Sequence, residues 1–321
     1  MRNKIFGGII GLSVADALGV PVEHKNREEL RCDPVTDMIG YGTYKQPPGT
    51  WSDDTSLTLC LLDSLAKGLN YYDVMRKFLA WRRRGEYTAH GKVFDMGITT
   101  RKALNFFIEY DEEPTMCGGI DENDNGNGSL MRILPLVFYL RKTYGSSFIE
   151  NGGAVGIIHS VSDLTHAHQR SEMACGIYLS IANELISGDN SLEYSITKGI
   201  DHAVKYYKNS EDCYKKELNH FQRLLSDDFR NLPEESIQSG GYVIETLEAA
   251  VWCLLNTESY ERCVLKAVNL GRDTDTTAAV AGGLAGIYYG YDAIPAKWKE
   301  QLARIDYIND LCEKFYVSLN K

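Results

Sequence analysis

The segment that decides the fold is Trp51-Ser52-Asp53-Asp54-Thr55-Ser56-Leu57-Thr58-Leu59-Cys60-Leu61-Leu62-Asp63-Ser64-Leu65-Ala66-Lys67-Gly68. Leu57, Leu61, Leu62 and Leu65 recur at the three- and four-residue spacing of one helix face. Ser and Asp precede them as N-cap residue types, and Gly68 supplies a C-cap. The same grammar repeats along the chain. Val74, Phe78 and Trp81 form a face stopped by Gly85, and Ala103, Leu104, Phe107 and Ile108 form another. Met173, Ile177, Ile181 and Leu185 make a long face ended by Gly188, and Val243, Leu247, Ala250, Val251 and Leu254 follow the same rule. No run of alternating apolar and polar residues is long enough for a sheet. The sequence predicts an all-α protein.

Working outward, 321 residues with 44% hydrophobic and 24% charged content can bury a large core, which excludes disorder and a fibrous repeat. No linker or internal repeat divides the chain, so one compact domain is expected over 1–321, with the polar stretch 208–239 as a surface insertion. The 34 Lys+Arg against 44 Asp+Glu leave a net charge of −10, which argues against a phosphate-tracking nucleic-acid binder. Any anionic ligand must then be neutralised locally. The eight cysteines form no Cys-x-x-Cys pair and no zinc spacing with histidine, so they read as small buried hydrophobes in a reducing compartment.

Arg2 and Lys4 precede an apolar stretch, and Ala15-Asp16-Ala17 imitates a small-x-small cleavage site. Gly7, Gly8, Gly11 and Ser13 make that stretch weakly hydrophobic for a signal peptide. No later stretch approaches the ~20 apolar residues of a membrane span. The expectation is a cytoplasmic monomer that engages neither nucleic acid nor membrane.

Two segments more than two hundred residues apart share one design. Gly49-Thr50-Trp51-Ser52-Asp53-Asp54-Thr55 runs into the Leu57 helix, and Gly271-Arg272-Asp273-Thr274-Asp275-Thr276-Thr277 runs into a helix of small residues. For either alone, capping is the competing reading, because Asp, Ser and Thr are preferred N-cap residues and first-turn carboxylates complement the helix dipole. One cap suffices per helix, however, and the surplus carboxylates would repel each other if the two ends met. A hard divalent cation removes that repulsion, and four carboxylates with two or three hydroxyls can hold two such ions about 4 Å apart. The irregular stretches Tyr41 to Trp51 and Cys117 to Ser129 are long for a helical domain, a mark of functional loops.

Together these two segments resemble the ADP-ribosylglycohydrolase family. The resemblance extends over almost the whole chain. It includes Asp16-Ala17-Leu18-Gly19 with Glu23, Phe94-Asp95-Met96-Gly97, Asn127-Gly128-Ser129-Leu130-Met131-Arg132 and Leu164-Thr165-His166. Ser239-Gly240-Gly241-Tyr242-Val243 and Ile294-Pro295-Ala296-Lys297-Trp298 complete it. The resemblance implies an all-α orthogonal bundle with a binuclear magnesium or manganese centre. Its metal ligands would be Ser52, Asp53, Asp54, Asp273, Asp275 and Thr276; the family usually has Thr where Ser52 stands, and the hydroxyl is kept.

The resemblance further implies that Asn127, Gly128, Ser129 and Met131 cradle the ADP-ribose phosphates and ribose, a task suited to glycine-rich backbone. It places Tyr242 near the adenine or adjoining ribose. His166 is a candidate ligand contact, although its neighbours also read as the first turn of a helix capped by Asp163, with His168 a plainer helix-end histidine. The implied reaction is hydrolysis of the glycosidic bond between ADP-ribose and a modified side chain or small conjugate, with Asp95 or Glu23 handling the proton. Another binuclear metallohydrolase acting on phosphoesters, and a non-catalytic ADP-ribose-binding relative, are the alternatives at this point.

Overall fold

The computed structural model describes residues 1–188 and 190–321. The helices are α1 (Arg2–Gly19), α2 (Arg27–Cys32), α3 (Asp53–Leu65), α4 (Tyr71–Arg84), α5 (Ile98–Tyr110), α6 (Pro135–Tyr144), α7 (Gly152–Asp163) and α8 (Gln169–Ser187). There follow α9 (Leu192–Lys208), α10 (Asp212–Glu217), α11 (Val243–Leu255), α12 (Tyr260–Val268), α13 (Thr274–Tyr289), α14 (Ala296–Gln301) and α15 (Ile305–Leu319). Short 3-10 turns join them, and the described residues contain no strand beyond two isolated bridges, Gly119 with His166 and Gly126 with Tyr242. The expected all-α class is the observed one.

The leucine segment becomes α3, with Ser52 as N-cap. It is buried on all sides rather than one, Ser56, Thr58 and Ser64 included, because α1, α4, α6 and α15 surround it. Gly85 and Gly188 end α4 and α8 in the left-handed conformation that the sequence assigns them.

The centre of the molecule is the pair α1 and α13, which is packed backbone to backbone. A Cβ placed on Gly7 would overlap the carbonyl of Gly286, one on Gly11 would lie 2.7 Å from the carbonyl of Gly282, and one on Gly286 would overlap the carbonyl of Gly7. Only glycine permits this approach. At the end of α1, Gly19 abuts the backbone of Asp275, and the Thr274 hydroxyl donates to the Gly19 carbonyl at 2.8 Å. The helix pairing therefore delivers the acidic start of α13 to the end of α1. By length and composition α1 could cross a membrane, but its apolar residues are buried in this core.

The stretch 208–239 runs along the outside as α10 and 3-10 turns, and anchors itself through buried Phe221, Leu224, Phe229 and Ile237. The Arg27 guanidinium reaches across to the carbonyls of Glu234 and Ile237. All eight cysteines are free thiols; Cys32 and Cys213 are exposed and the other six buried, so these two depart from the expected burial because they lie on the surface turns of α2 and α10.

Substituting Gly286→Val should cost about 2–4 kcal/mol, since the overlap is with backbone that cannot move aside. Gly156→Ala, in the interior of α7 with open space where its Cβ would stand, should instead gain up to about 1 kcal/mol. Urea unfolding of both variants checks the contrast.

Candidate metal and active site

Asp16, on the last turn of α1, is fully buried. Its carboxylate accepts hydrogen bonds from the Ser52 N–H at 3.0 and 3.1 Å, the Thr55 N–H at 3.0 Å and the Thr55 hydroxyl at 2.6 Å. These are the orphan donors that open α3. Ser52 adds the cap proper, its Oγ accepting from the Asp54 N–H at 3.3 Å. Asp16 and Ser52 thus perform the capping, and Asp53 and Asp54 are left over. At α13, Asp273 stands at the N-cap position and makes no side-chain cap bond.

The surplus acids converge. Asp54 Oδ2 accepts from the Ser52 hydroxyl at 3.1 Å and from the Thr276 hydroxyl at 3.3 Å, so the two acidic segments meet at this oxygen. Glu23, Asp273 and Asp275 each bring an oxygen within 4.8 Å of the others. Backbone pairing enforces the last grouping: the His24 N–H donates to the Arg272 carbonyl at 2.7 Å, and the Arg272 N–H to the Lys25 carbonyl at 2.6 Å. Arg272 adopts a left-handed φ of 65° to permit it. Asp54 Oδ1, Asp275 Oδ2 and Glu23 Oε2 are buried without any hydrogen-bond partner. Orphaned carboxylate oxygens at a hard-oxygen cluster are the donor set that Mg²⁺ or Mn²⁺ requires, so the residues fit the metal centre.

A cavity of about 420 Å³ opens over this cluster. Asp53, Asp273, Thr276 and Glu23 line its floor side, with Asp95, Gly97, Ile98 and Thr100 on one wall and Gly126, Asn127, Gly128, Met131, His166 and Gly241 on another. A larger depression of about 530 Å³, lined by His159, Lys205 and Tyr214, holds none of these carboxylates.

Four of the six expected substrate residues, Asn127, Gly128, Met131 and His166, therefore face the cavity. Asn127 also donates to Asp273 Oδ2 at 2.8 Å, tying the loop to the acid cluster. Ser129 does not face it: the side chain is buried behind the loop, where its Oγ accepts from the Ser162 hydroxyl. Tyr242 is not part of the lining either. Its ring packs 5.8 Å from the Arg170 guanidinium, and the backbone of Gly241 takes the place expected for it. His166 lies in the loop after α7, not in a helical first turn. Asp163 ends α7 instead of capping a helix, and His168 caps α8, its Nδ1 accepting from the Arg170 N–H at 3.2 Å. The Thr165 hydroxyl meets His166 Nδ1 at 2.7 Å and fixes the ring.

Burial and mutual repulsion dominate the electrostatics. Burial first, then the charges of Asp95 and Asp54, hold the Asp53 carboxyl well above its usual range; Asp54 and Asp275 are raised in the same way. Burial and then Asp95 push Glu23 up to about 8. Asp95 is also raised, by burial and then Asp273, and it projects from a left-handed backbone position with φ 47°. Burial, then the charge of Arg132, lowers His166 to about 3, so the ring is neutral at physiological pH.

Comparison with known proteins agrees with this architecture. The model of the ADP-ribosylglycohydrolase family matches residues 1–321. The chain belongs to the ADP-ribosylglycohydrolase family. It is 32% identical over 316 residues to the ADP-ribosylarginine hydrolase Tri1 of Serratia proteamaculans, covering 98% of this chain and 79% of that one. It is 30% identical over 308 residues to the ADP-ribosyl-[dinitrogen reductase] glycohydrolase of Rhodospirillum rubrum, covering 94% and 91%. A solved structure of an ADP-ribosylglycohydrolase-related protein complex superposes with a TM-score of 0.78 at 28% identity, covering 99% of this chain and 98% of that one. This glycohydrolase is accordingly an enzyme that hydrolyses glycosidic bonds of ADP-ribose to modified residues.

A carboxyl raised by folding contributes stability that is fully present below its unfolded pKa and is lost as pH rises through its folded one. For Glu23 that window runs from 4.5 to about 8. The metal-free protein should therefore melt at lower temperature at pH 8.5 than at pH 6, and Mn²⁺ should restore most of the loss at the higher pH. Asp54→Asn should raise the metal-free melting temperature at pH 8.5 and weaken the response to Mn²⁺. Differential scanning fluorimetry over pH and Mn²⁺ reads both effects; a response equal to the parent's would return Asp54 to a structural role.

Proposed function

We propose that the protein hydrolyses the N-glycosidic bond of ADP-ribosyl-arginine in proteins, with the acid cluster holding two divalent ions. The observation that carries the acceptor is the charge of the cavity. Glu23, Asp53, Asp95 and Asp273 line it, and among the described residues no lysine or arginine does. A guanidinium-bearing conjugate is favoured there over a neutral serine ether. The name of the Serratia relative, an ADP-ribosylarginine hydrolase, supports the same reading.

Ser52, Asp53, Asp54, Asp273, Asp275 and Thr276 would hold the ions, and Glu23 joins them through its grouping with Asp273 and Asp275. When bound, divalent ions supply Lewis acidity toward substrate oxygens and offset part of the charge of the crowded carboxylates. The chain's own residues do the rest. Asn127, Gly128 and Met131 form one cavity wall that fits the phosphate and ribose portion, and neutral His166 beside them offers a ring nitrogen. Cleavage builds positive charge at the anomeric carbon, which the surrounding carboxylates stabilise. With Glu23 grouped among the metal-binding acids, Asp95 is the carboxylate that takes the proton from water. Eight free thiols support placement in a reducing compartment such as the cytoplasm.

Release of ADP-ribose from arginine- and serine-linked substrates, with Mg²⁺, Mn²⁺ or EDTA, tests this reading. Arginine conjugates should turn over at least tenfold faster than serine conjugates, and EDTA should abolish the activity. Asp95→Asn should lower kcat by ~10² or more while keeping the thermal response to Mn²⁺, whereas Glu23→Gln should lose part of that response. Preferred cleavage of the serine conjugate would overturn the acceptor assignment.

A further inference from the structure

Beneath the Asn127–Met131 loop lies a cation that the site description does not use. Arg132 is fully buried. Of the two buried arginines among the described residues, Arg170 is paired with Glu122 and Glu217 at 2.7 and 2.8 Å, while Arg132 has no carboxylate within 4 Å. Its guanidinium donates from Nη1 to the Gly128 carbonyl and from Nη2 to the Val161 carbonyl at 3.0 Å, and lies 5.2 Å from the Phe78 ring centroid. Its Nε is buried without a partner. Asp53 is the carboxylate whose charge reaches it, from beyond ion-pair distance, so the guanidinium has no direct anionic partner, and a buried charge in that state is favoured by an anion that comes closer.

The cavity is the side from which an anion could approach Arg132. Asn127, Gly128 and Met131 line the cavity, and Arg132 follows them immediately on the buried side. The Gly128 carbonyl is drawn to Arg132, and the Asn127 carbonyl accepts from the Met131 N–H at 3.0 Å. The negative ends of both peptide groups are thus kept off the cavity. The carboxylates that line the cavity are Glu23, Asp53, Asp95 and Asp273, and no lysine or arginine lines it among the described residues, in a chain of net charge −10.

Resting on the ADP-ribose reading above, we propose that Arg132 is a positioning residue for the ligand's diphosphate: it turns the Gly128 carbonyl away and places a positive charge behind the wall, without touching the ligand. Burial lowers its pKa only to about 10, so it stays charged at neutral pH.

The test compares the parent with Arg132→Met and Arg132→Lys, the latter keeping the charge should the former fold poorly. Free ADP-ribose is titrated calorimetrically in Mg²⁺, melting is followed with and without Mn²⁺, and turnover is measured on the ADP-ribosylated substrate. Arg132→Met should weaken ADP-ribose binding by about tenfold to a hundredfold, and Arg132→Lys by less. KM should rise while kcat changes by less than threefold, and the Mn²⁺ response should match the parent's. ADP-ribose affinity within twofold of the parent in both variants would overturn the inference. So would equal loss of ADP-ribose affinity and Mn²⁺ response in both, which is the signature of a merely structural role. A parent protein that binds no ADP-ribose would instead overturn the reading of the site itself.

Discussion

The constraint on which the rest of the molecule depends is the side-chain-free contact between α1 and α13. Gly7 and Gly11 on one helix, and Gly282 and Gly286 on the other, let two backbones approach until a single methyl group would not fit. This contact fixes the axial register of the helices. Register in turn sets Gly19 against Asp275 and leaves Asp16 pointing at the first turn of α3. Three helix termini are thereby held at one point. The chemistry needs that arrangement, since carboxylates on loops would move apart under their own repulsion.

The way those termini are capped explains why acids can be spared for other work. Asp16 is a carboxylate given wholly to hydrogen bonding: it binds two backbone N–H groups and a hydroxyl. A site with one acid fewer would have to draw on Asp53 or Asp54 to satisfy the same donors, and fewer carboxylates would be left over for the cluster. The cost of the arrangement is a folded state that crowds Glu23, Asp53, Asp54, Asp95, Asp273 and Asp275 together.

Much of this was legible in the sequence, and for identifiable reasons. The leucine periodicity after Asp53-Asp54 and the glycine stops at 85 and 188 are local signals, and the helices follow them. Two acidic helix starts were legible because one cap suffices per helix. The partner of each was not: Asp16 looks like one polar residue in an apolar helix, and only its three-dimensional neighbours reveal a cap for α3. Glu23 sits in a turn with no periodicity, so its grouping with Asp273 and Asp275 depends on the backbone pairing of residues 24–25 with 272. Ser129 and Tyr242 show the reverse limit. A motif identifies a loop, but which of its side chains faces inward is settled by contacts with Ser162 and Arg170.

The α1–α13 pair also governs the order of events during synthesis. The Thr274–Gly19 hydrogen bond joins residues 255 positions apart. The apolar helix α1 is thus synthesised well before its main partner, α13. Until then α1 is an apolar segment without the surface that buries it, the kind of segment that exposes a folding chain to aggregation. The acid cluster inherits the same timetable. A nascent chain that has not yet reached Asp273 and Asp275 lacks half of the acid cluster, so the cluster cannot form until α13 begins.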